Sequence, residues 1–508
     1  MRSVDSPTVS FPLVRRVSWP AISQDARSRL MLAAFPLTLA IGLRLWYGGP
    51  PVFTTDDTYI ALHAARHLFE ANDPAYPGVP PLTGATSLIH VLMLRAFMLV
   101  SSPVWATELV AWLGTVAYLA GAATLIVHRT TSTSGRLACM TIAVSLGGTI
   151  GHLSSGQETV WAMAAVMWLL KWLDTDPPGG RRVPLMAGFL PWIRPDLGLL
   201  TLTIAVSRRK TFVRDSVLIA LAILPCVLIY QLAIGSPLPN TVAAKIAFFG
   251  FAALPLWKKM LLALLWLSPW FLLQIGLSTM GLRWAWHQRS DRIVLTALGL
   301  FLCGVIVAGP NVITHNDFRY LHPLMVPTII AGLAAWAGRP HQSGLVPVVL
   351  GICLLWPVGH LSSKLQTIVR NVEIVVTAQS EIATWLNTHE RQGVHVLVHD
   401  AGFLSEYSSA QLTDMVGLKS PSSIPEHQRW TAPSHGEDRP TALHRIACQS
   451  HPEYYVAFSI WEEDFRLTEG LREYGWSPTP VLRHVVPAEP EPVSFTLYRL
   501  RQSPRCNV

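Results

Sequence analysis

The feature that most constrains this chain is a series of long apolar segments with few charges inside them. A helix needs roughly 20 apolar residues to cross the hydrocarbon core of a bilayer. Stretches of that order fall near 30–47, 104–127, 184–206, 216–234, 261–282, 293–309, 319–338 and 344–361, with shorter ones near 86–101, 137–152 and 157–172. Of the 508 residues, 51% are hydrophobic and only 14% are charged, a balance that belongs to a bilayer protein rather than to soluble domains. The expected fold is therefore an α-helical polytopic membrane protein with about nine to eleven spans. The first apolar stretch follows a basic leader, residues 1–29, without a small-residue cleavage site, and so reads as a retained helix rather than a signal peptide.

Charge divides the chain. Residues 365–508 carry 12 Lys/Arg against 17 Asp/Glu, which leaves 27 against 14 for residues 1–364. Positive charge near membrane helices is retained in the cytoplasm, whereas acidic segments cross freely. The leader (Arg15, Arg16, Arg27, Arg29) and the cluster Arg208, Arg209, Lys210, Arg214 are expected inside. The loop 48–85 and the tail 365–508 are expected outside, with the membrane domain over 30–361, which describes a multi-pass protein of the inner (plasma) membrane. The basic pI of about 9.3 then reports topology, and nucleic acid is excluded as a partner because the only soluble domain is acidic. Cys139, Cys226, Cys303 and Cys353 lie in apolar segments as small buried residues. Cys448 and Cys506 are placed to pair if the tail meets an oxidising compartment, and no ligand spacing of the zinc type appears.

The tail opens with a helical run near 372–390, whose apolar face is Val372, Val375, Val376, Ile382, Trp385 and Leu386. Alternation over 394–399 and runs at 453–460 and 493–500 read as strands, giving a small C-terminal extracytoplasmic α/β or α+β domain. Between residues 86 and 206 two topologies stay open. In one, every apolar stretch spans, which puts Arg129, Arg136, Arg181 and Arg182 outside. In the other, 184–206 is a re-entrant pair broken at Arg194-Pro195-Asp196 and one earlier stretch falls short of a crossing. Non-helical backbone at membrane depth is tolerated only where protein or a wet cavity covers it, so the second topology makes that turn part of a site.

The strongest local signal is Thr54-Thr55-Asp56-Asp57-Thr58-Tyr59-Ile60, just after the first apolar helix on its outer side. Adjacent carboxylates repel, so one keeps a raised pKa unless a cation or metal is near. Such a pair serves as a general base, as a metal ligand, or as an acidic start to a helix. Ile60, His63, Ala64, His67 and Leu68 at helical spacing put it at the N-terminus of a short helix lying along the membrane.

Together with motifs spread further along the chain, this loop resembles the first outer loop of the GT-C glycosyltransferase superfamily, nearest to the arabinofuranosyltransferase-like and protein-mannosyltransferase-like branches. After the Asp-Asp pair come Arg66, a Pro/Gly-rich turn from Pro74 to Gly84, and Thr86-Ser87. Gly156-Gln157-Glu158-Thr159 is similar to a Gly-Met-Glu-Thr turn, and Arg194-Pro195-Asp196 to an Arg-Pro-Asp-Gly turn that Leu197 interrupts. Leu238-Pro239-Asn240-Thr241 with Lys245 resembles a Leu-Pro-Asn-Thr…Lys segment, and Arg319-Tyr320-Leu321-His322-Pro323 the start of a late helix. Asp400-Ala401-Gly402, Tyr407 and Asp414-Met415-Val416-Gly417-Leu418 extend the likeness into the tail.

The resemblance implies a polyprenyl-phosphate sugar as donor, entering from the bilayer, and an extracytoplasmic glycan, lipid or protein as acceptor. Asp56 or Asp57 is then the general base of an inverting displacement. The other carboxylate either holds the base in place or helps bind a divalent cation (Mg, Mn or Ca), so Asp57 stands as a candidate metal ligand. Cations are needed where the departing phosphate is poorly solvated. Arg319 comes first because its planar fork suits phosphate oxygens, followed by Lys245, Arg194 and His322. Glu158, Asp196, Asn240, Tyr320 and Tyr59 are candidate substrate contacts. Plainer roles exist for several: Arg319-Tyr320 as an interface anchor, Lys245 as a snorkelling side chain, Glu158 as a helix cap and Asn240 as a turn residue. Rival readings are a transporter, which needs two related halves and polar residues at mid-membrane, and a non-catalytic polymer-handling protein. A scaffold of that kind would tolerate loss of both carboxylates.

Overall fold

A computed structural model describes residues 24–47, 49–177, 179–251, 254–339, 361–487, 491–501 and 503–507. The leader up to residue 23 and the apolar stretch 344–360, with Cys353, lie outside the described residues.

The apolar segments become helices. After α1 (Gln24–Tyr47), the loop that follows holds α2 (Asp56–Arg66), followed by α3 (Leu88–Phe97), α4 (Pro103–Arg129), α5 (Thr133–Ser145) and α6 (Thr149–Ser154). Next come α7 (Thr159–Thr175), α8 (Arg182–Ile193), α9 (Gly198–Ser207), α10 (Phe212–Ile234), α11 (Thr241–Phe249), α12 (Leu256–His287) and α13 (Arg289–Ala308). A short turn, α14 (His315–Phe318), leads into α15 (His322–Ala337). Among the described residues, four helical segments are long and apolar enough to cross a membrane: Pro103–Arg129, Thr133–Ser154, Arg209–Ile234 and Arg289–Ala308. Helices α4, α7 and α15 form the centre of the bundle. Close contact of this kind relies on small residues, because lipid removes the hydrophobic drive between helices. A Cβ at Gly114 of α4 would meet Val160 of α7 at 2.6 Å.

Of the two topologies, the structure has the one with a broken pair. Helices α8 and α9 flank a 3-10 turn at Pro195–Leu197 and fold back on each other, since Thr201 Oγ1 donates to the Ala187 carbonyl at 2.6 Å. At 1.5 Å per residue each limb is about 15–18 Å long, half of what a crossing takes. Helix α3, with ten residues, is the earlier stretch that falls short. One consequence is that Arg129, Arg136, Arg181 and Arg182 share an end of the bundle with Arg208 and Arg214. Arg129 pairs with Asp174 and Asp291, Arg136 approaches Asp25 at the start of α1, and Arg208 reaches the Gly180 carbonyl. All stand at the end away from the tail.

The tail begins with α16 (Leu361–Val372), which passes through a π-helical turn at Glu373–Ala378 into α17 (Gln379–His389). Its sheet has five strands in the order β2-β1-β3-β5-β4: β1 (His395–Val398), β2 (Gln411–Asp414), β3 (Tyr454–Phe458), β4 (Ser477–Val486) and β5 (Val493–Arg501). Strand β1 runs parallel to β2 and β3, whereas β5 is antiparallel to β3 and β4. The three strands expected from sequence are β1, β3 and β5. The two additional ones lie at the edges, where β4 tolerates Pro478 and Pro480 beside a register shift at Pro480/Leu482. Cys448 and Cys506 form a disulfide. The helix α18 (Phe403–Tyr407) follows β1 and meets α2 of the outer loop.

Candidate active site

A cavity of about 860 Å³ lies between the bundle and the tail. Its floor includes Thr54, Thr55, Asp56, Asp57, Lys245 and His315, and its roof includes His399, Asp400, Phe458 and Trp461. The floor is fixed by the Gly156–Thr159 turn. Thr58 Oγ1 donates to the Ser155 carbonyl at 2.8 Å, and Gln157 Nε2 donates to Thr55 Oγ1 at 2.5 Å. The start of α2 is thereby held against the start of α7.

Adjacent in sequence, the two carboxylates face opposite walls. Asp56 turns to the tail: its oxygens accept the backbone N–H groups of Gly402 at 2.6 Å and Phe403 at 2.8 Å, which open α18. Gly402 has no room for a side chain, because a Cβ there would lie 2.1 Å from the Asp56 carbonyl oxygen. Asp57 turns to the bundle, where Arg319 Nη1 donates to it at 2.5 Å and Asn316 Nδ2 at 3.5 Å. Burial and the neighbouring Asp400 charge push the Asp56 carboxyl up to about 7, against the pull of the two backbone N–H groups. Burial also raises Asp57, but Lys245, His315 and Arg319 outweigh it and hold that carboxyl well below its ordinary value.

The expected cations gather next to Asp57. Arg319 gives its second arm to Glu158 at 2.6 Å, and Arg194 binds Asp196 through two contacts of 3.0 Å while approaching Glu158 at 3.5 Å. Lys245 Nζ meets Tyr320 Oη at 3.0 Å and His315 Nε2 at 3.3 Å. Around the Tyr320 ring stand Arg194 at 4.6 Å, Lys245 at 5.4 Å and Arg319 at 5.8 Å. The order inferred from sequence changes here. Arg319 is spent on two carboxylates, and Lys245 is the cation of this cluster with no carboxylate bonded to it among the described residues.

Other expected residues stand apart from the cations. The ring of His322 is buried against backbone carbonyls, with Nε2 2.7 Å from Gly147 O and Nδ1 3.0 Å from Phe318 O. Asn240 ties the tail to the outer loop: its amide donates to the Gly417 and Leu418 carbonyls at 2.8 and 2.9 Å and accepts from Gly84 N. Tyr59 is packed among Phe53, Phe403 and Tyr407. A divalent cation is a poor fit at Asp57, whose surroundings are cationic, while both oxygens of Asp56 already accept backbone N–H groups.

Sequence reasoning missed the turn before Arg319. His315 and Asn316 face Asp57, and Asn316, Asp317 and Phe318 have φ of 47°, 57° and 61°. Consecutive non-glycine residues at positive φ cost energy, and they persist where surrounding structure fixes them, often at functional sites. A polar His-Asn-Asp run between two apolar segments was the available signal. Lys419 was missed too: it is fully buried on Asp73 at 2.7 Å, joining tail to outer loop.

The comparisons with known proteins agree with this geometry at the level of fold. A family model described as "Domain of unknown function (DUF8728)" matches residues 368–498, the tail. No curated protein matches the chain. Among solved structures, the chain is similar to ArnT from Cupriavidus metallidurans in the apo state, with a TM-score of 0.51 and 11% identity over 92% of this chain and 98% of that one. The chain thus shares the overall fold of that structure, a helical bundle with segments long and apolar enough to cross a membrane, carrying a small C-terminal sheet domain.

Proposed function

We propose that the protein is a glycosyltransferase that moves a sugar from polyprenyl phosphate onto a hydroxyl of an extracytoplasmic glycan, lipid or protein, with inversion. The observation that carries this reading is the opposed setting of two adjacent carboxylates on one cavity floor. Pairs of acids whose environments drive their pKa values apart mark the division of labour in acid–base catalysis. Asp56, with a carboxyl near neutrality, is the general base. It takes the acceptor proton as the hydroxyl oxygen attacks the anomeric carbon, and the breaking C–O bond leaves its electron pair on the lipid phosphate. Lys245 meets that developing charge, with Tyr320 and His315 beside it. Inversion needs base and leaving group on opposite faces of the sugar; Asp56 is held by the tail, whereas Lys245 stands with Tyr320 and His315 of the bundle.

Arg319, Arg194, Glu158 and Asp196 are positioning residues in this scheme, as are Asn240 and Tyr59. No step is routed through a metal at the carboxylate pair. The cavity roof, with Trp461 and His399 stacked at 4.6 Å, is the acceptor side. The orientation is N-terminus and basic clusters in the cytoplasm, tail outside the inner membrane. It is supported by the shared end of Arg129, Arg208 and Arg214, and by the disulfide in the tail.

The test is to incubate the purified protein in detergent with a panel of radiolabelled polyprenyl-phosphate sugars. Arabinofuranosyl and mannosyl donors come first, since the motifs resemble those branches, and each is run with and without chelator. Transfer that Asp56→Asn removes is the expected result, whereas no transfer from any donor, or equal transfer by the variant, would count against the proposal.

A further inference from the structure

We propose that His63, His67 and Glu406 form a binding site for zinc, or a similar divalent transition metal, that pins the tail onto the outer loop. His63 and His67 lie one turn apart on the same face of α2, with ring centroids 4.6 Å apart. Glu406 approaches from α18 in the tail, and one ligand atom from each of the three residues lies within 4.8 Å of the other two.

Three observations point to a ligand here. First, His63 Nδ1 and Glu406 Oε2 are buried without a hydrogen-bond partner, on side chains each only 2% exposed. The two atoms face each other at ion-pair distance but without the geometry of a hydrogen bond, whereas buried polar atoms are normally hydrogen-bonded. Second, these two atoms are 3.4 Å apart. Ligands about 2.0–2.1 Å from a tetrahedral zinc stand about 3.3–3.4 Å from each other. Third, each histidine already has one ring nitrogen on a carboxylate: His63 Nε2 on Asp73 at 2.8 Å and His67 Nδ1 on Glu70 at 2.7 Å. Carboxylate–histidine pairs of this kind fix the tautomer and aim the other nitrogen at a metal.

Arg66 Nη1 holds Oε1 of Glu406 at 2.7 Å, which leaves Oε2 to ligate through one oxygen. Two imidazoles, one carboxylate and a water make up a four-coordinate set suited to zinc and its neighbours in the transition series, not to the all-oxygen shells of calcium or magnesium. The site is separate from the Asp56–Asp57 chemistry and does not depend on it. Reading the sequence did not find it, because the His-x-x-x-His spacing merges with an amphipathic helix and the third ligand lies far along the chain, in the tail.

The full chain, purified without a histidine tag, stripped with chelator and kept in detergent, tests this. Zinc is titrated against a chromophoric chelator and bound metal is counted by mass spectrometry. Co²⁺ supplies a second readout through the strong visible absorption of four-coordinate sites. The expected result is one zinc per chain, an affinity at least about ten-fold weaker in His67→Ala and Glu406→Gln, and a loss of about 10–100-fold in Glu70→Gln. That last residue is half exposed and outside the core, so the change leaves the fold in place. Absence of stoichiometric zinc in the unmodified chain would overturn the proposal, as would unchanged affinity in His67→Ala and Glu406→Gln. Preference for Ca²⁺ or Mg²⁺ over zinc would overturn it as well.

Discussion

The two ends of the helical bundle hold the same kinds of charged side chain and use them differently. At the end away from the tail the charges close on themselves. Arg129 is gripped by Asp291 at 2.7 Å and Asp174 at 2.8 Å, and Asp215 takes Arg208, Arg214 and Thr211. At the tail end, Arg319, Glu158, Arg194 and Asp196 also pair, but Asp56, Asp57 and Lys245 open on a cavity. Buried ion pairs alone thus say little about function. What separates the two ends is an incomplete pairing beside empty volume: a cation with no carboxylate bonded to it among the described residues, and an acid set beside another acid and held by two backbone N–H groups and the Gln379 amide.

The sharpest way to break this contrast is to neutralise one residue at each end. Asp56→Asn should lower turnover by about 10²–10⁴ while the protein still folds, the usual loss for a general base. The checks are a transfer assay and a melting curve. Arg129→Ala should do the converse. It strands the fully buried Asp291, and removing one partner of a buried pair costs about 3–5 kcal/mol, so melting should fall while turnover per folded molecule stays unchanged. Smaller still, Lys245→Met should weaken donor binding by about 1.5–3 kcal/mol, the worth of a charged hydrogen bond, measured with a polyprenyl-phosphate sugar in a competition assay.

The least of these effects is a pair of opposite pH dependences. With its folded pKa raised from 3.8 to about 7, Asp56 binds its proton more tightly in the native state. Its contribution to stability is therefore fully present below about 4 and is lost as pH rises towards 7. Asp57, whose pKa is depressed, contributes above about 4 and loses that contribution as pH falls. Melting curves of Asp56→Asn should accordingly lack the decline between about pH 4 and 7, and those of Asp57→Asn should lack the acid-side loss. Activity should fall below about pH 7 as Asp56 protonates, and Asp57→Asn, by removing a neighbouring negative charge, should move that limb to lower pH.

Much of this was legible in the sequence, for reasons that differ between residues. The apolar segments read as helices because a bilayer demands a fixed length. Asp56 and Asp57 stood out because adjacent acids after an apolar helix are expensive. Arg319, Lys245, Glu158 and Arg194 were placed together by motif order, and their meeting around Tyr320 is a matter of fold. The choice between a spanning helix and the α8–α9 hairpin was not legible, since it turns on a contact between Thr201 and Ala187 that the sequence does not encode locally. Nor was the identity of the cation left without a carboxylate, because sequence ranks Arg319 by chemistry while the structure spends it on Asp57 and Glu158. Strands β2 and β4 were hidden for a simpler reason: one has four residues and the other carries two prolines.

The central proposal is that Asp56 acts on a sugar held by a lipid phosphate. Its most direct test is a single-turnover reaction in which sugar transferred and polyprenyl phosphate released are counted together. One phosphate per sugar from the unmodified protein, and neither from an Asp56→Asn protein that still melts cooperatively, is the predicted result. Equal release from the variant would contradict it.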